Sequence, residues 1–518
     1  MQNRPIRFFH RGRIVEIADA PPTRSVLDWL REDARCSGTK EGCNEGDCGA
    51  CTVLIGERVT DERPGDVVVG APDGRSRLRL RSLNACLQFV PALDGKALFS
   101  VEDVAQVGDR ATDPLHPVQR AMVDCHGSQC GFCTPGFVVS LWLAYERHRA
   151  AGTRPTRQQL ADELAGNLCR CTGYRPILDA GLAMFDLPEA VLDVGPVLAA
   201  LDSLASGEGF DYEARGARFA VPRTLAELAG VRVERPAARI VAGSTDVALW
   251  VNKLFRPLPD LVGVADVTAL QAIESDDEML RIGAGASLEH AFRALVARWP
   301  TLQDLWLRFA APPIRHAGTI GGNLANGSPI GDCAPVLMAL GAELVLRRGD
   351  AQRRIALDAF YVDYMKNRLD PGEFIERVDV PLASAAAVRA YKISKRFDCD
   401  ISAVCAGLAI ELDAGSVKSA RFAFGGMAAT VRRASEAEAA VLGQPWTEAT
   451  LFAAQAALAC DFVPLTDMRA SADYRMQVAQ NLLRRFWLET RPEAPLAAHA
   501  VSVWPVLPHA APARGAAA

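Results

Sequence analysis

The chain has 518 residues, too many for one ordinary core, and at roughly 100–200 residues per domain three or four domains are expected. Hydrophobic residues are 49% and charged residues 23%, an ordinary globular composition, and a formal net charge of −5 gives no basic field for nucleic acid. No signal-peptide core opens the chain and no run reaches the roughly 18 apolar residues of a membrane span, so a cytoplasmic protein without membrane attachment is expected.

Residues 5–17 (PIRFFHRGRIVEI) read as a β-hairpin turning at His10-Arg11-Gly12-Arg13, where Gly12 can supply a positive φ. A short helix follows, capped by Thr23 or Ser25, with Val26, Leu27 and Leu30 on one face. A glycine- and cysteine-rich loop from Cys36 to Cys51 leads into the strand-like TVLI. Residues 57–79 look like an excursion or long hairpin before RLRLRSLNACLQFV resumes alternation. Residues 1–92 are therefore expected to form a small β-rich unit with one helix.

From residue 93 the texture is helical: PVQRAMVDC, GFVVSLWLAYERH, TRQQLADELAG and RPILDAGLAMF are short amphipathic segments, and 93–182 is expected to be a helical domain. Residues 183–220 lack a period and read as a linker with a short helix around 196–205. An α/β texture runs over 221–385, strands and then helices over 386–492, and an Ala- and Pro-rich tail over 493–518 that should be poorly ordered.

In a reducing compartment 14 cysteines argue for metal rather than disulfides. Cys43, Cys48 and Cys51 form C-x4-C-x2-C, with Cys86 at a distance. This is plant-type ferredoxin spacing for a two-iron cluster. Gly42, Gly46 and Gly49 interleave with these cysteines, as close wrapping of a cluster requires. Zinc is the rival, but its ligands are usually spaced as paired C-x2-C. Cys130 and Cys133 form C-x2-C, answered by Cys169 and Cys171 as C-x-C. On spacing alone zinc stays open for this second set, and with it the reading of a zinc-binding structural protein. Cys36 and Cys125 belong to neither set and read as packed or spare thiols.

No G-x-G-x-x-G opens a βαβ unit, so a Rossmann nucleotide site is not supported. Two loops stand out instead: IVAGSTDV, from Ile240 to Val247, and GTIGGNLANGSPIGD, from Gly318 to Asp332. Small residues there can present backbone N–H groups to a pyrophosphate, or simply make two tight turns.

The segments CGFCTPGF and GNLCRCTGYRP, following a ferredoxin-like unit, resemble the molybdenum hydroxylase family, which includes xanthine dehydrogenase and aldehyde oxidase. The two small-residue loops resemble that family's flavin domain, so the resemblance covers residues from about 5 to 490. It implies a multidomain α+β chain. The expected parts are a ferredoxin-like β-grasp [2Fe-2S] domain, a helical-bundle [2Fe-2S] domain and a vanillyl-alcohol-oxidase-type FAD domain with a C-terminal α+β subdomain. The second cysteine set becomes the ligands of a second [2Fe-2S] cluster.

For FAD the resemblance implies Ile240, Val241, Ala242, Gly243, Ser244, Thr245, Asp246 and Val247, with Phe309 against the flavin rings. Thr319, Gly321, Gly322 and Asn323 should line the pyrophosphate and ribityl region, Asp332 the adenosine side, and Ile375 and Lys392 complete the set, with Lys392 near the pyrimidine edge. Tyr364 is expected beside the flavin face used by nicotinamide; otherwise it is a tyrosine packed under a loop. Cys399 stands where animal relatives carry an acidic residue in a loop near that site, and the 57–79 excursion is longer than theirs.

Only a short tail follows Arg491, so no molybdenum–pterin domain is expected in this chain. The resemblance is thus to the iron–sulfur and FAD subunit of bacterial xanthine dehydrogenases, expected to pair with a large molybdenum-cofactor subunit as a heterotetramer with two chains of each kind. Electrons from hypoxanthine or xanthine would reach NAD⁺, with aldehydes or other N-heterocycles as alternative substrates of the partner. No acid–base catalytic residue is expected here.

Overall fold

The computed structural model describes residues 1–59, 61–70, 77–107, 114–382 and 387–501. The N-terminal hairpin is present: Ile6–His10 pairs antiparallel with Arg13–Ile17. Its turn residues Arg11 and Gly12 both take positive φ, 49° and 75°, the geometry that matches strand twist in a two-residue turn. Ser25 caps the following helical turns by accepting from the Asp28 N–H at 3.0 Å, and Val26, Leu27 and Leu30 face inward.

Among the described residues this unit is a six-stranded sheet in the order Arg13–Ile17, Ile6–His10, Ala97–Phe99, Thr52–Arg58, Arg77–Asn84, Val67–Gly70. The excursion contributes the edge strand Val67–Gly70, paired with Arg77–Asn84; residues 60 and 71–76 lie outside the described residues. This edge is an interdomain clamp rather than a decoration of the cluster loop. Asp66 Oδ1 lies 2.8 Å from His290 Nε2, and Arg63 donates to Gln271 Oε1 at 2.8 Å.

The four expected helical segments form Pro117–Asp124, Thr134–Ala151, Arg157–Glu163 and Arg175–Ala183. Thr134–Ala151 is buried on nearly every side, through Phe137, Leu141, Trp142 and Tyr145, as befits a central helix. Its side chains share one core with Leu54, Leu78, Leu80 and Phe99 of the sheet.

The reading of 183–220 as a linker needs correction. The helix Gly195–Leu204 is there, close to the expected 196–205, but Phe210–Ala214 and Ala217–Val221 form a hairpin inside the next domain. Its turn, Arg215-Gly216, repeats the positive-φ Arg-Gly pair of the first hairpin. The alternation FDYEARGARFAV carries that signal.

Among the described residues this hairpin belongs to a five-stranded sheet ordered Gln2–Asn3, Phe210–Ala214, Ala217–Val221, Asp260–Gly263, Arg239–Val241. The chain's first strand thus pairs with the flavin-type domain. Phe8, Leu27, Cys51, Phe210, Tyr212, Phe219 and Val241 pack in one shared core, so the first unit and this domain are not separate beads. An antiparallel second sheet, Ile273–Ser275, Met279–Gly283, Phe374–Pro381, Glu343–Arg348, Ala351–Ala356, carries the helices of the second small-residue loop.

The C-terminal part is the antiparallel sheet Ala387–Ile393, Val404–Asp413, Ser416–Gly425, Arg432–Arg433 under the helices Ser435–Val441, Glu448–Asp461 and Ala472–Thr490. Of the expected tail, Ala498–Val501 is one helical turn, and from residue 502 on it lies outside the described residues.

Candidate electron-transfer site

The first cysteine set gathers as two pairs. Cys51 Sγ lies 3.3 Å from Cys86 Sγ, and the Cys48 N–H points at Cys43 Sγ at 3.4 Å. The Cys48 thiol donates to Cys43 and, with the amides of Glu45, Cys48 and Asp47, pulls Cys43 down to about 5 against the effect of burial. Cys48 is pushed up in return. Cys51 is lowered by the Cys86 thiol, and Cys86 is raised by Cys51. In each pair one sulfur is thus the better thiolate.

The second set repeats this pattern. Cys130 is lowered by the Phe132 amide and the Cys171 thiol, and Cys171 is raised by Cys130. Burial and the Cys169 thiol raise Cys133 to about 12. Cys169 is buried yet lowered, because it accepts from the Thr172 hydroxyl and amide, the Cys171 amide and the Cys133 thiol. Thiols in two pairs, fed by backbone amides, fit a two-iron cluster, in which each iron takes two thiolates, better than a zinc site.

The local sequence enforces this. Gly46 and Gly49 hold φ of 79° and 70° in the first loop. A Cβ on Gly49 would stand 2.3 Å from Gly166 O, so only glycine lets the two cysteine loops touch. Across that contact the Leu168 N–H donates to Cys48 O at 3.0 Å. Buried Asn167 donates to Gly49 O at 3.1 Å and accepts from Ser140 Oγ at 2.7 Å. Cys51 and Cys86 are buried, whereas Cys130 and Cys171 are exposed, with Phe132 and Tyr174 exposed nearby in sequence.

The flavin-type loops lie side by side. A Cβ on Gly243 would stand 1.9 Å from Ala317 O, and one on Gly318 would stand 3.5 Å from Thr245 Oγ1. Arg239–Val241 leads through Ala242, Gly243, buried Ser244 at φ 60°, Thr245 and the capping position Asp246 into the helix Val247–Asn252. Thr319 caps Ile320–Asn326 by accepting from the Gly322 N–H at 3.0 Å, and Gly321 packs on Ala284. Asp246 Oδ2 and Asn323 Oδ1 are buried without a protein partner. Burial raises the Asp246 carboxyl despite hydrogen bonds from Trp250 and Asn326. Two orphaned acceptors beside glycine-lined backbone fit a ribityl–pyrophosphate chain carrying its own hydroxyl donors.

Asp332 and Lys392 are not at opposite ends of a dinucleotide, as expected for an adenosine side and a pyrimidine edge. Lys392 Nζ donates to Asp332 Oδ2 at 2.6 Å and to Ser402 Oγ at 2.8 Å, and Ser402 Oγ donates to Asp332 Oδ1 at 2.6 Å. This closed, buried triad sits at one place, and a Cβ on the adjacent Gly331 would lie 3.6 Å from Asn323 Oδ1. Phe309 is buried against Phe292 with ring centroids 5.2 Å apart, and Ile375 lies in the same core. Tyr364 is 61% exposed at the turn between Tyr361–Asp363 and Lys366–Asn367, so it is not packed under a loop. Cys399, at φ 49°, contacts Ala310 O at 3.6 Å, and burial with Asp398 beside it pushes the thiol up to about 12.

Several residues of the site carry no local sequence signal. Ser402 completes the triad from another strand connection, Gln88 Nε2 donates to Gly243 O at 3.1 Å, and Asn252 donates to Cys86 O at 2.8 Å. These tie the first cysteine set to the flavin-type loop.

Known proteins match each unit in turn. Residues 8–90 match the 2Fe-2S iron-sulfur cluster binding domain and 101–182 the [2Fe-2S] binding domain. Residues 213–383 match the FAD binding domain in molybdopterin dehydrogenase, and 389–490 the CO dehydrogenase flavoprotein C-terminal domain. Xanthine dehydrogenase of Drosophila subobscura is 31% identical over 497 residues, covering 85% of this chain and 35% of that protein. Aldehyde oxidase 4 of Cavia porcellus is 26% identical over 544 residues, covering 93% of this chain and 39% of that protein. A solved carbon monoxide dehydrogenase chain from Hydrogenophaga pseudoflava is 26% identical with a TM-score of 0.49, over 52% of this chain and 94% of that one.

Two [2Fe-2S] domains followed by an FAD-binding domain define an iron–sulfur flavoprotein that transfers electrons. The chain belongs to the molybdenum hydroxylase family, as its iron–sulfur and flavin part. It spans 35% of the length of the Drosophila relative, about a third. Among the described residues no helix is long and apolar enough to cross a membrane.

Proposed function

We propose that this chain carries electrons from a separate large subunit, where a molybdenum cofactor oxidises hypoxanthine or xanthine, to NAD⁺, in a cytoplasmic heterotetramer with two chains of each kind. Its units would be the first cluster domain (1–92), the helical cluster domain (93–182), a connecting helix, the FAD domain beginning with the 210–221 hairpin, and the C-terminal subdomain to 492. When bound, the two [2Fe-2S] clusters supply single-electron carriers and FAD supplies conversion to the two-electron hydride chemistry of NAD⁺.

Cys43, Cys48, Cys51 and Cys86 hold the first cluster, and Cys130, Cys133, Cys169 and Cys171 the second. Ile240 to Val247 with Thr319, Gly321, Gly322 and Asn323 hold the FAD, with Phe309 and Ile375 walling its site. Asp332 and Lys392 supply a fixed, internally neutral pair of charges there. Tyr364, being exposed, would meet nicotinamide from solvent.

The observation that carries this reading is the difference in exposure between the two cysteine sets. Cys51 and Cys86 of the first set are buried, and that set is tied to the flavin-type loop through Asn252 and Gln88, whereas Cys130 and Cys171 of the second set are exposed. An exposed set suits delivery from a partner, and a buried set suits relay inward. Isolation of the native complex, followed by a substrate screen with NAD⁺, tests it. A molybdenum-bearing large subunit and xanthine-dependent NADH formation are expected. A chain isolated alone, or a complex that oxidises aldehydes but no purine, would contradict the xanthine assignment.

A further inference from the structure

The helix leaving the flavin-type loop ends on the first cysteine set. Val247–Asn252 starts directly after Asp246, and its last residue places Asn252 Nδ2 2.8 Å from Cys86 O and 3.2 Å from Asn44 Oδ1. Asn44 is held at φ 56°, so the amide contact braces a strained residue of the cysteine loop. The next residue, Lys253, donates from Nζ to Cys43 O, and its ammonium lies 3.6 Å from Glu45 Oε2. Adjacent residues of one domain thereby grip the carbonyls of two cysteines, one from each thiol pair, in another domain.

We propose that Asn252 and Lys253 are positioning residues for electron exchange between the first cluster and the flavin. Asn252 fixes the cysteine loop against the helix that carries the flavin loop, and Lys253 sets the charge beside the cluster. The inference rests on the reading of Cys43, Cys48, Cys51 and Cys86 as cluster ligands. Adding an electron makes the cluster more negative, and an ammonium bound to a ligand's carbonyl opposes that charge. Lys253 therefore favours the reduced state, while Glu45 offsets part of its field. The Lys253 side chain is 41% exposed, so the effect is modest and screened by salt.

The test is a potentiometric titration of the full, cofactor-loaded chain followed by EPR. The first cluster's signal is identified as the one retained in Cys130→Ala. At the wild-type midpoint, Lys253→Gln should lower the reduced-to-oxidised ratio of the first cluster about threefold to fivefold at low salt. Lys253→Arg should restore it, and the second cluster should not move. Asn252→Leu should change the shape of the first signal alone, and Asn252→Gln should restore part of it. An unmoved first-cluster ratio in Lys253→Gln, or equal changes in both clusters, would overturn the inference. A wild-type chain lacking two signals would overturn the cluster reading beneath it, and the inference with it.

Discussion

The Leu168 N–H donates to the carbonyl of Cys48 at 3.0 Å, so the residue preceding one cysteine of the second set is hydrogen-bonded to a cysteine of the first. One peptide and one hydrogen bond thus join the two sets, and the glycines facing that contact leave no space for a side chain between them. In the proposed relay this is a direct bonded bridge between the two cluster loops.

Gly136 is the most sensitive point of that contact. A Cβ there would lie 2.1 Å from Gly49 O, a backbone atom that cannot move aside alone. Gly136→Ala should push the helical domain off the first loop. Iron analysis should fall from about four to about two per chain, with the second EPR signal lost or broadened.

Asn167 is a buried hub. Replacing it with Leu strands Ser140 Oγ, at about 1–3 kcal/mol for an unsatisfied group, while Gly49 O keeps its bonds from the Thr52 hydroxyl and amide. Urea unfolding should show a loss of roughly 1–3 kcal/mol, and freeze-quench EPR should show slower equilibration between the two clusters. Asn167→Asp should recover the Ser140 contact but not the Gly49 one.

The triad of Asp332, Lys392 and Ser402 should govern flavin retention. Asp332→Ala leaves a buried ammonium without its counter-ion, a change that typically costs about 3–5 kcal/mol. Purified Asp332→Ala should carry well under half the wild-type flavin, measured by absorbance after protein denaturation, while its iron content stays unchanged.

The clamp at the sheet edge gives an acid dependence. Burial pushes the Asp66 carboxyl up, but His290 and Arg79 outweigh it and hold it below its ordinary value. A depressed carboxylate contributes stability that is fully present above the unfolded value of about 3.9, and loses it as the pH falls through the folded one. Wild type should therefore melt higher than Asp66→Asn near neutral pH. The gap should narrow as the pH drops below about 4, in melting curves taken across that range.

Much of this architecture was legible in the chain. The Arg11-Gly12 turn and the four helical segments each follow from short-range pattern, and the structure places them accordingly. The hairpin at 210–221 repeats the same Arg-Gly turn, but its strands interrupt a stretch otherwise without a period, which hides it. Asp332 and Lys392 could be nominated as site residues, but their direct pairing could not be read. They are 60 residues apart, and the contact exists only once the C-terminal sheet packs on the second loop. Asn252 and Lys253 were invisible for the same reason: their partners lie in a different domain.

Two separate cysteine sets, the second with Cys130 and Cys171 at the surface, are each proposed to hold a [2Fe-2S] cluster. Spin-quantified EPR of the dithionite-reduced chain, wild type beside Cys130→Ala, tests it most directly. Two distinct signals of about one spin each are expected in wild type, with only the first retained in Cys130→Ala. Both signals persisting in that variant, or no signal in an iron-loaded wild type, would contradict it.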